Sequence, residues 1–266
     1  MTRRTLILAY GLLAYAATLA TFVYLAGFVG GILTPTKLDD PREGSLAAAV
    51  AIDVGLLVLF GLQHSGMARP AFKQWLTRFV PGPAERSTYC LLSSVALFVL
   101  FWLWQPIGGT VWHVEDPTPR VVLFALYAVG WVIVLATSFV INHFDLFGLR
   151  QVWLCFLGVP YTPLKFGTPG PYKVVRHPLY VGWLMVFWAA PTMTVAHLVF
   201  ALGMTAYILA AIRWEERDLQ TFHPEYAAYR RRVRMLLPVP RHEAAAAVDC
   251  VQPGRPAMEP VSTVDG

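Results

Sequence analysis

The sequence predicts an all-α fold, a polytopic transmembrane helical bundle with a C-terminal helical hairpin. Three observations carry this. Hydrophobic residues make up 56% of the 266-residue chain and charged residues 14%, against about 25% charged in soluble domains. The charges are gathered into short stretches between long apolar runs. Runs such as Leu91–Trp104 and Val121–Ile141 do not alternate in polarity, as the short strands of an outer-membrane barrel would. Backbone polar groups surrounded by hydrocarbon must pair within their own segment, so these runs are expected to be helices.

A span needs about 20 mostly apolar residues. The first, Thr5–Leu33, follows Arg3 and Arg4 and resembles a signal peptide at its start. Its length and the lack of a convincing cleavage site make it a retained first span. Leu46–Leu62, Tyr89–Trp104 with its flanks, and Val121–Ile141 supply three more. Two shorter runs follow, Leu179–Ala190 and Val195–Ile212, separated by Pro191 and Thr192–Thr194. They read as a hairpin whose first arm is too short to cross a bilayer upright, so it is either sheltered by other helices or tilted.

The organisation is then N-terminal transmembrane helices over 1–141, a cofactor-binding region over 142–242, and a disordered tail over 243–266. The tail is poor in large apolar residues. Basic residues set the orientation. Arg3 and Arg4, then Arg69, Lys73, Arg78 and Arg86, then Arg150, Lys165, Lys173 and Arg176, and finally Arg213, Arg217 and Arg230–Arg232 fall on alternate connections. Both termini are therefore expected to be cytoplasmic. The net charge of +5 forms no basic face with interleaved aromatics, which argues against nucleic acid as a partner. Cys90, Cys155 and Cys250 are odd in number and far apart, which suits neither a disulfide framework nor a zinc site. No metal is expected.

Two polar constellations sit at the ends of apolar arms. In the first, Gly170-Pro171-Tyr172-Lys173 leads into Arg176-His177-Pro178-Leu179-Tyr180-Val181-Gly182. Pro178 suits a first helical turn, where its missing N–H is no loss. His177 and Tyr180 are three apart and share a helix face. In its plainer reading Arg176 snorkels and Tyr180 joins an interfacial aromatic belt. In the second, Arg213-Trp214-Glu215-Glu216-Arg217-Asp218 closes the second arm. Adjacent carboxylates there are costly unless partnered or wet. One can pair with Arg213, Arg217 or Arg176, leaving the other for a ligand's hydroxyls or ammonium. Phe222, Tyr226, Tyr229 and Val233 then recur at helical spacing beside Arg230–Arg232, which suggests an amphipathic helix on the inner leaflet.

This set, with the closing Leu237-Pro238, resembles the membrane methyltransferases of the isoprenylcysteine carboxyl methyltransferase and phospholipid methyltransferase-like family. Gln63-His64-Ser65-Gly66, Glu85-Arg86-Ser87-Thr88-Tyr89, Trp104-Gln105-Pro106 and Asn142-His143-Phe144-Asp145-Leu146-Phe147 resemble one bacterial branch of it, the methanethiol S-methyltransferases. The resemblance implies a cytoplasmic pocket for S-adenosylmethionine, methyl transfer to methanethiol giving dimethyl sulfide, and a place in the bacterial inner membrane. It also implies a cofactor-binding set of Gly170, Tyr172, Arg176, His177, Tyr180, Glu215 and Glu216. There His177 and Tyr180 line the adenosine pocket, Arg176 faces the cofactor carboxylate, and Glu215 or Glu216 holds the ribose or amino-acid end.

A thiol reacts as its thiolate, and a simple alkyl thiol is less acidic than cysteine, so it needs help, from the nearby sulfonium charge or from a positioned base. The candidates are His143 with Asp145 and Asn142, or His64. Topology sets His64, His143 and His177 at a similar depth. Glu85 and Arg86 either form an ion pair bracing this face, the favoured reading, or help shape the pocket. Asp53, a carboxylate inside the second span, must be paired, protonated or functional. The expected partners are a small thiol and membrane lipid. Another small thiol, sulfide or a lipid amine is the alternative acceptor, and a haem-binding redox protein is the alternative from a different class, because histidines near helix ends can serve as axial ligands.

Overall fold

The computed structural model describes residues 2–40 and 44–238. The region read as a disordered tail lies outside them. The helices run α1 Thr2–Gly30, α2 Leu46–Met67, α3 Pro70–Leu76, α4 Glu85–Leu103, α5 Pro117–Ile141, α6 His143–Leu146, α7 Leu149–Leu157, α8 Pro178–Trp188, α9 Val195–Phe222 and α10 Tyr226–Arg232. Five helical segments, α1, α2, α4 with the preceding turn, α5 and α9, are long and apolar enough to cross a membrane. The chain is thus an all-α multi-pass membrane protein, and the expected spans coincide with these helices. Large apolar side chains such as Leu13, Val23, Trp102 and Val121 stay exposed, as hydrocarbon solvent allows.

The core is built by Phe28, Phe101, Phe187 and Phe200, whose rings meet between α1, α4, α8 and α9. The short arm α8 is sheltered by α5. Two glycines make this possible: a Cβ on Gly130 would lie 2.9 Å from the Gly182 carbonyl oxygen, and one on Gly182 would lie 2.9 Å from that of Gly130. Small residues of this kind let helix backbones approach closely in a bilayer. The two arms are also tied by Trp188 Nε1, which donates to Thr205 Oγ1 at 2.9 Å.

Three features depart from the sequence reading. The second arm does not stop at Ile212: α9 runs on to Phe222, so Glu215 and Glu216 belong to the same unbroken helix. Residues Thr192–Thr194 form a strand, β2, paired antiparallel with β1, Thr110–His113. This ribbon seals the hairpin's far end, where Thr194 donates to Asp39. Finally, α10 turns Tyr226 and Tyr229 inward, buried against Phe166, and Phe222 is exposed. Asp53 finds its partner in tertiary structure: fully buried in α2, it accepts the backbone N–H of Gln105 at 2.8 Å.

Candidate active site

The first part of the site is a staple between the loop before α8 and the segment after α10. Gly170–Lys173 makes a 3-10 turn, entered at Gly170 with φ +50°. Val175 then bridges Arg234, and the N–H groups of Arg176 and His177 donate to the carbonyls of Arg234 and Met235 at 2.8 and 3.2 Å. Tyr229 Oη donates to the Tyr172 carbonyl at 2.6 Å. Burial pushes the Tyr229 phenol up to about 12 and also raises that of Tyr172, which Glu215 raises further.

Glu216 is the hub of this staple. Its Oε1 accepts from Arg176 Nε at 2.7 Å and lies 3.1 Å from His177 Nε2, and its Oε2 is 3.0 Å from Arg230 Nε. The side chains of Arg176 and Glu216 are each 6% exposed. A buried carboxylate is tolerable only with such partners. Arg176 Nη1 donates to the carbonyls of Val233 and Arg230 at 2.6 and 3.3 Å. The guanidinium is therefore spent on the protein, and the expected role of facing a cofactor carboxylate does not match its placement. Glu215 differs from its neighbour: its side chain is 48% exposed, and its Oε2 accepts from Tyr180 Oη at 3.1 Å.

The second part is a cavity of about 630 Å³ between α1, α2, α4, α5, α8 and α9, walled mostly by apolar side chains. His64, His143 and Tyr180 all line it, together with Tyr89, Tyr207 and Arg86. His64 stacks on Phe60, with its Nε2 2.8 Å from Tyr89 Oη and its Nδ1 3.1 Å from Ser93 Oγ. His143 stacks face to face on Phe139 at 4.3 Å. Its Nδ1 is 2.8 Å from Ser138 Oγ and its Nε2 2.7 Å from Tyr15 Oη. Desolvation by burial holds the His143 imidazole below its ordinary value, so it is neutral near pH 7. Both nitrogens of each ring are engaged by hydroxyl groups of the protein.

Asn142 and Asp145 stand apart from that cavity. Asn142 adopts φ +130° between α5 and α6, and its Oδ1 caps α6 by accepting the Asp145 N–H at 3.1 Å. Such a conformation is costly for a residue with a side chain. Asp145 pairs with Arg150 at 2.8 Å and accepts from Tyr161 Oη at 3.3 Å; it makes no hydrogen bond to His143. Asn142 and Asp145 line a second, polar pocket of about 520 Å³ with Lys73, Glu85, Gln151 and Tyr161. Burial, aided by the charge of Arg86, lowers the Lys73 ammonium. Arg86 and Leu146 line both spaces. Arg86 makes no ion pair with Glu85 among the described residues; its Nε donates to the Leu146 carbonyl at 2.8 Å and its guanidinium lies 4.9 Å over the Tyr89 ring.

Of the residues singled out in the sequence, the structure brings His64, His143 and Tyr180 to one cavity, and Tyr180 links that cavity to Glu215. Sequence reasoning missed Tyr15 and Ser138, which hydrogen-bond His143. Both sit within apolar spans, Ser138 beside Thr137, and neither carries a local signal. Tyr89 and its partner His64 are 25 residues apart, so their pairing carries no local signal either. Among the described residues, no group of three or more His, Cys, Asp or Glu side chains is placed to hold a metal ion.

The chain is similar to several characterised proteins. It is 56% identical over 236 residues to the methanethiol S-methyltransferase of Crocosphaera subtropica, covering 88% of this chain and 92% of that one. It is 48% identical to the methanethiol S-methyltransferase of Mycobacterium tuberculosis, over 90% of this chain and 99% of that one. Nurim of Sus scrofa is more distant, 32% identical over 75% of this chain and 81% of its own. No protein-family model and no solved structure matches the chain.

Proposed function

The chain belongs to the methanethiol S-methyltransferase family, and from that premise we propose that it transfers a methyl group from S-adenosylmethionine to methanethiol, releasing dimethyl sulfide. The observation that carries the reading is the apolar cavity shared by His64, His143 and Tyr180, joined through Tyr180 to the half-exposed Glu215. S-adenosylmethionine, when bound, supplies a methyl carbon activated by a sulfonium leaving group.

The residues present fit that group. Glu215 has a carboxylate oxygen to offer hydroxyls or an ammonium, beside the tilted rings of His177 and Tyr180. Tyr180, Trp183 and Tyr207 present aromatic walls to the cavity, and ring faces attract a cation. Arg176 and Glu216 act one step back, holding the segment that carries His177. Gly170 and Tyr172 shape the turn that α10 covers.

On the acceptor side, neutral His143 takes the thiol proton, with His64 as the other candidate. Tyr15 and Ser138 hold the His143 ring in register. Most of the rate gain comes from aligning sulfur with the methyl carbon. Because an anion and a cation combine to neutral products, a cavity poor in water suits the step. Asn142 and Asp145 support this face by fixing the turn that delivers His143.

The alternating basic connections support insertion in the bacterial inner membrane with both termini cytoplasmic. The test supplies the detergent-purified protein with methyl-labelled S-adenosylmethionine and, in parallel, methanethiol, sulfide, a larger thiol and an amine lipid. Labelled dimethyl sulfide in the headspace is the expected product. Label in lipid, with none in dimethyl sulfide, overturns the acceptor.

A further inference from the structure

We infer that Arg86 is a further catalytic residue, the cation that binds the thiol substrate as its thiolate. The inference rests on the methanethiol reading above and deepens it. The large cavity is faced by His64, Tyr89, Cys90, His143, Tyr180 and Tyr207, none of which carries a fixed positive charge. Arg86 is the lining residue that does. Its placement is fixed at two points, by the Nε bond to the Leu146 carbonyl and by contact with the Tyr89 ring. Among the described residues its two terminal nitrogens have no hydrogen-bond partner. On its other side lie Lys73, Glu85, Asp145 and Tyr161 of the polar pocket. Asp145 is already paired with Arg150, and Glu85 forms no ion pair with Arg86.

A guanidinium without an ion-pair partner among the described residues, at the edge of an apolar cavity, favours an anion there, because charges interact more strongly where water is excluded. The anion the reaction needs is a thiolate. The S–H proton leaves to a histidine of the cavity and onward to solvent. The sulfur lone pair then forms the bond to the methyl carbon, and the pair of the broken sulfonium bond stays on the departing sulfur.

A cation beside the nucleophile has two opposed effects. It raises the thiolate fraction and lowers the reactivity of each thiolate. For thiolates the Brønsted coefficient is about 0.4–0.5, so a tenfold gain in thiolate loses only about threefold in reactivity. Below the pKa of the thiol the gain wins. Above it the thiolate is already present and the gain disappears. This gives Arg86 a signature that a bracing residue lacks.

The experiment measures kcat/KM for methanethiol against pH in wild type, Arg86→Lys and Arg86→Gln. It is repeated with a fluorinated ethanethiol, whose electron-withdrawing fluorines make it far more acidic, and affinity for S-adenosylhomocysteine is read by calorimetry. We expect Arg86→Gln to lose about tenfold or more at pH 7 with methanethiol, a deficit that narrows to within about threefold near pH 10 and with the acidic thiol. Arg86→Lys should fall between, and nucleoside affinity should stay within about twofold. An equal deficit at every pH and with both thiols makes Arg86 a structural residue and overturns the proposal. Should Arg86→Gln not fold, an Arg86→Lys deficit that narrows toward pH 10 and with the acidic thiol supports the proposal, and a pH-independent loss or a profile identical to wild type overturns it. A wild type that makes no dimethyl sulfide at any pH refutes the underlying reaction instead.

Discussion

Tyr180 on one arm of the hairpin donates its hydroxyl to Glu215 on the other across 3.1 Å. Glu216, the next residue, turns away to the buried Arg176 and His177 and to the exposed Arg230. Successive residues on a helix point about 100° apart, so two adjacent carboxylates acquire different tasks. One is bound into the protein and the other keeps a half-exposed carboxylate.

Exchanging each for its amide should separate those tasks. Glu215→Gln is expected to weaken S-adenosylhomocysteine binding about tenfold with little change in thermal stability. Glu216→Gln is expected to destabilise the protein by about 3–5 kcal/mol, because it leaves buried Arg176 without its counter-charge. Calorimetry and thermal melting in detergent check both. Equal affinity in Glu215→Gln and wild type would remove that carboxylate from the donor site.

His143 supplies a pH prediction. Burial depresses its pKa below the ordinary value of about 6.5. The neutral ring is therefore present at pH 7 and above, and activity that depends on it should fall only as pH drops well below that value. The linked stability has the same sign: it is complete above about pH 6.5 and is lost as pH falls toward the depressed folded value, since the unfolded chain takes up the proton first. His143→Ala should lower turnover by about 10²-fold or more if the imidazole is the base, with nucleoside affinity unchanged. Turnover equal to wild type across the pH range would transfer the role to His64, whose alanine variant is the matched control.

The contact between α5 and α8 predicts intolerance at two glycines. Alanine at Gly182 would set its Cβ 2.9 Å from the Gly130 oxygen and from both Val134 N and Val134 Cγ2. Overpacking of this kind costs about 1–3 kcal/mol. Gly182→Ala and Gly130→Ala should both melt earlier than wild type. Gly55→Ala in α2, where no atom lies within 4 Å of the added carbon, should not.

Asp53 predicts a difference between two substitutions. Asp53→Asn keeps an oxygen for the Gln105 N–H, whereas Asp53→Ala leaves that donor unpaired. The alanine variant should be less stable than the asparagine one by about 1–3 kcal/mol. Equal melting temperatures would mean that water reaches the Gln105 N–H.

The spans were legible because hydropathy alone decides what can sit in hydrocarbon. Counting them set His64, His143 and His177 at one expected depth, and of these His64 and His143 line one cavity. Partners were not legible. Asp145 is two residues from His143 in sequence, yet it belongs to Arg150 and Tyr161, because the short helix α6 turns the two side chains to different pockets. Glu216 and Arg176 are 40 residues apart and their pairing depends on the hairpin closing. The continuation of α9 past Ile212 was hidden for a related reason. Polar residues mark the end of a membrane crossing and carry no information on whether the helix itself ends there.

The backbone bridge from Val175 to Arg234 has a consequence for biosynthesis. Every transmembrane helix precedes it in the chain, so all can be threaded into the bilayer by the time Phe222 leaves the ribosome. At that moment Arg176 and Glu216 can already meet, but the carbonyls of Arg230 and Val233 that complete the Arg176 shell are still inside the ribosome. The helices are then free to insert, and the Arg176 shell closes only when the next stretch of chain, through Val233, has emerged.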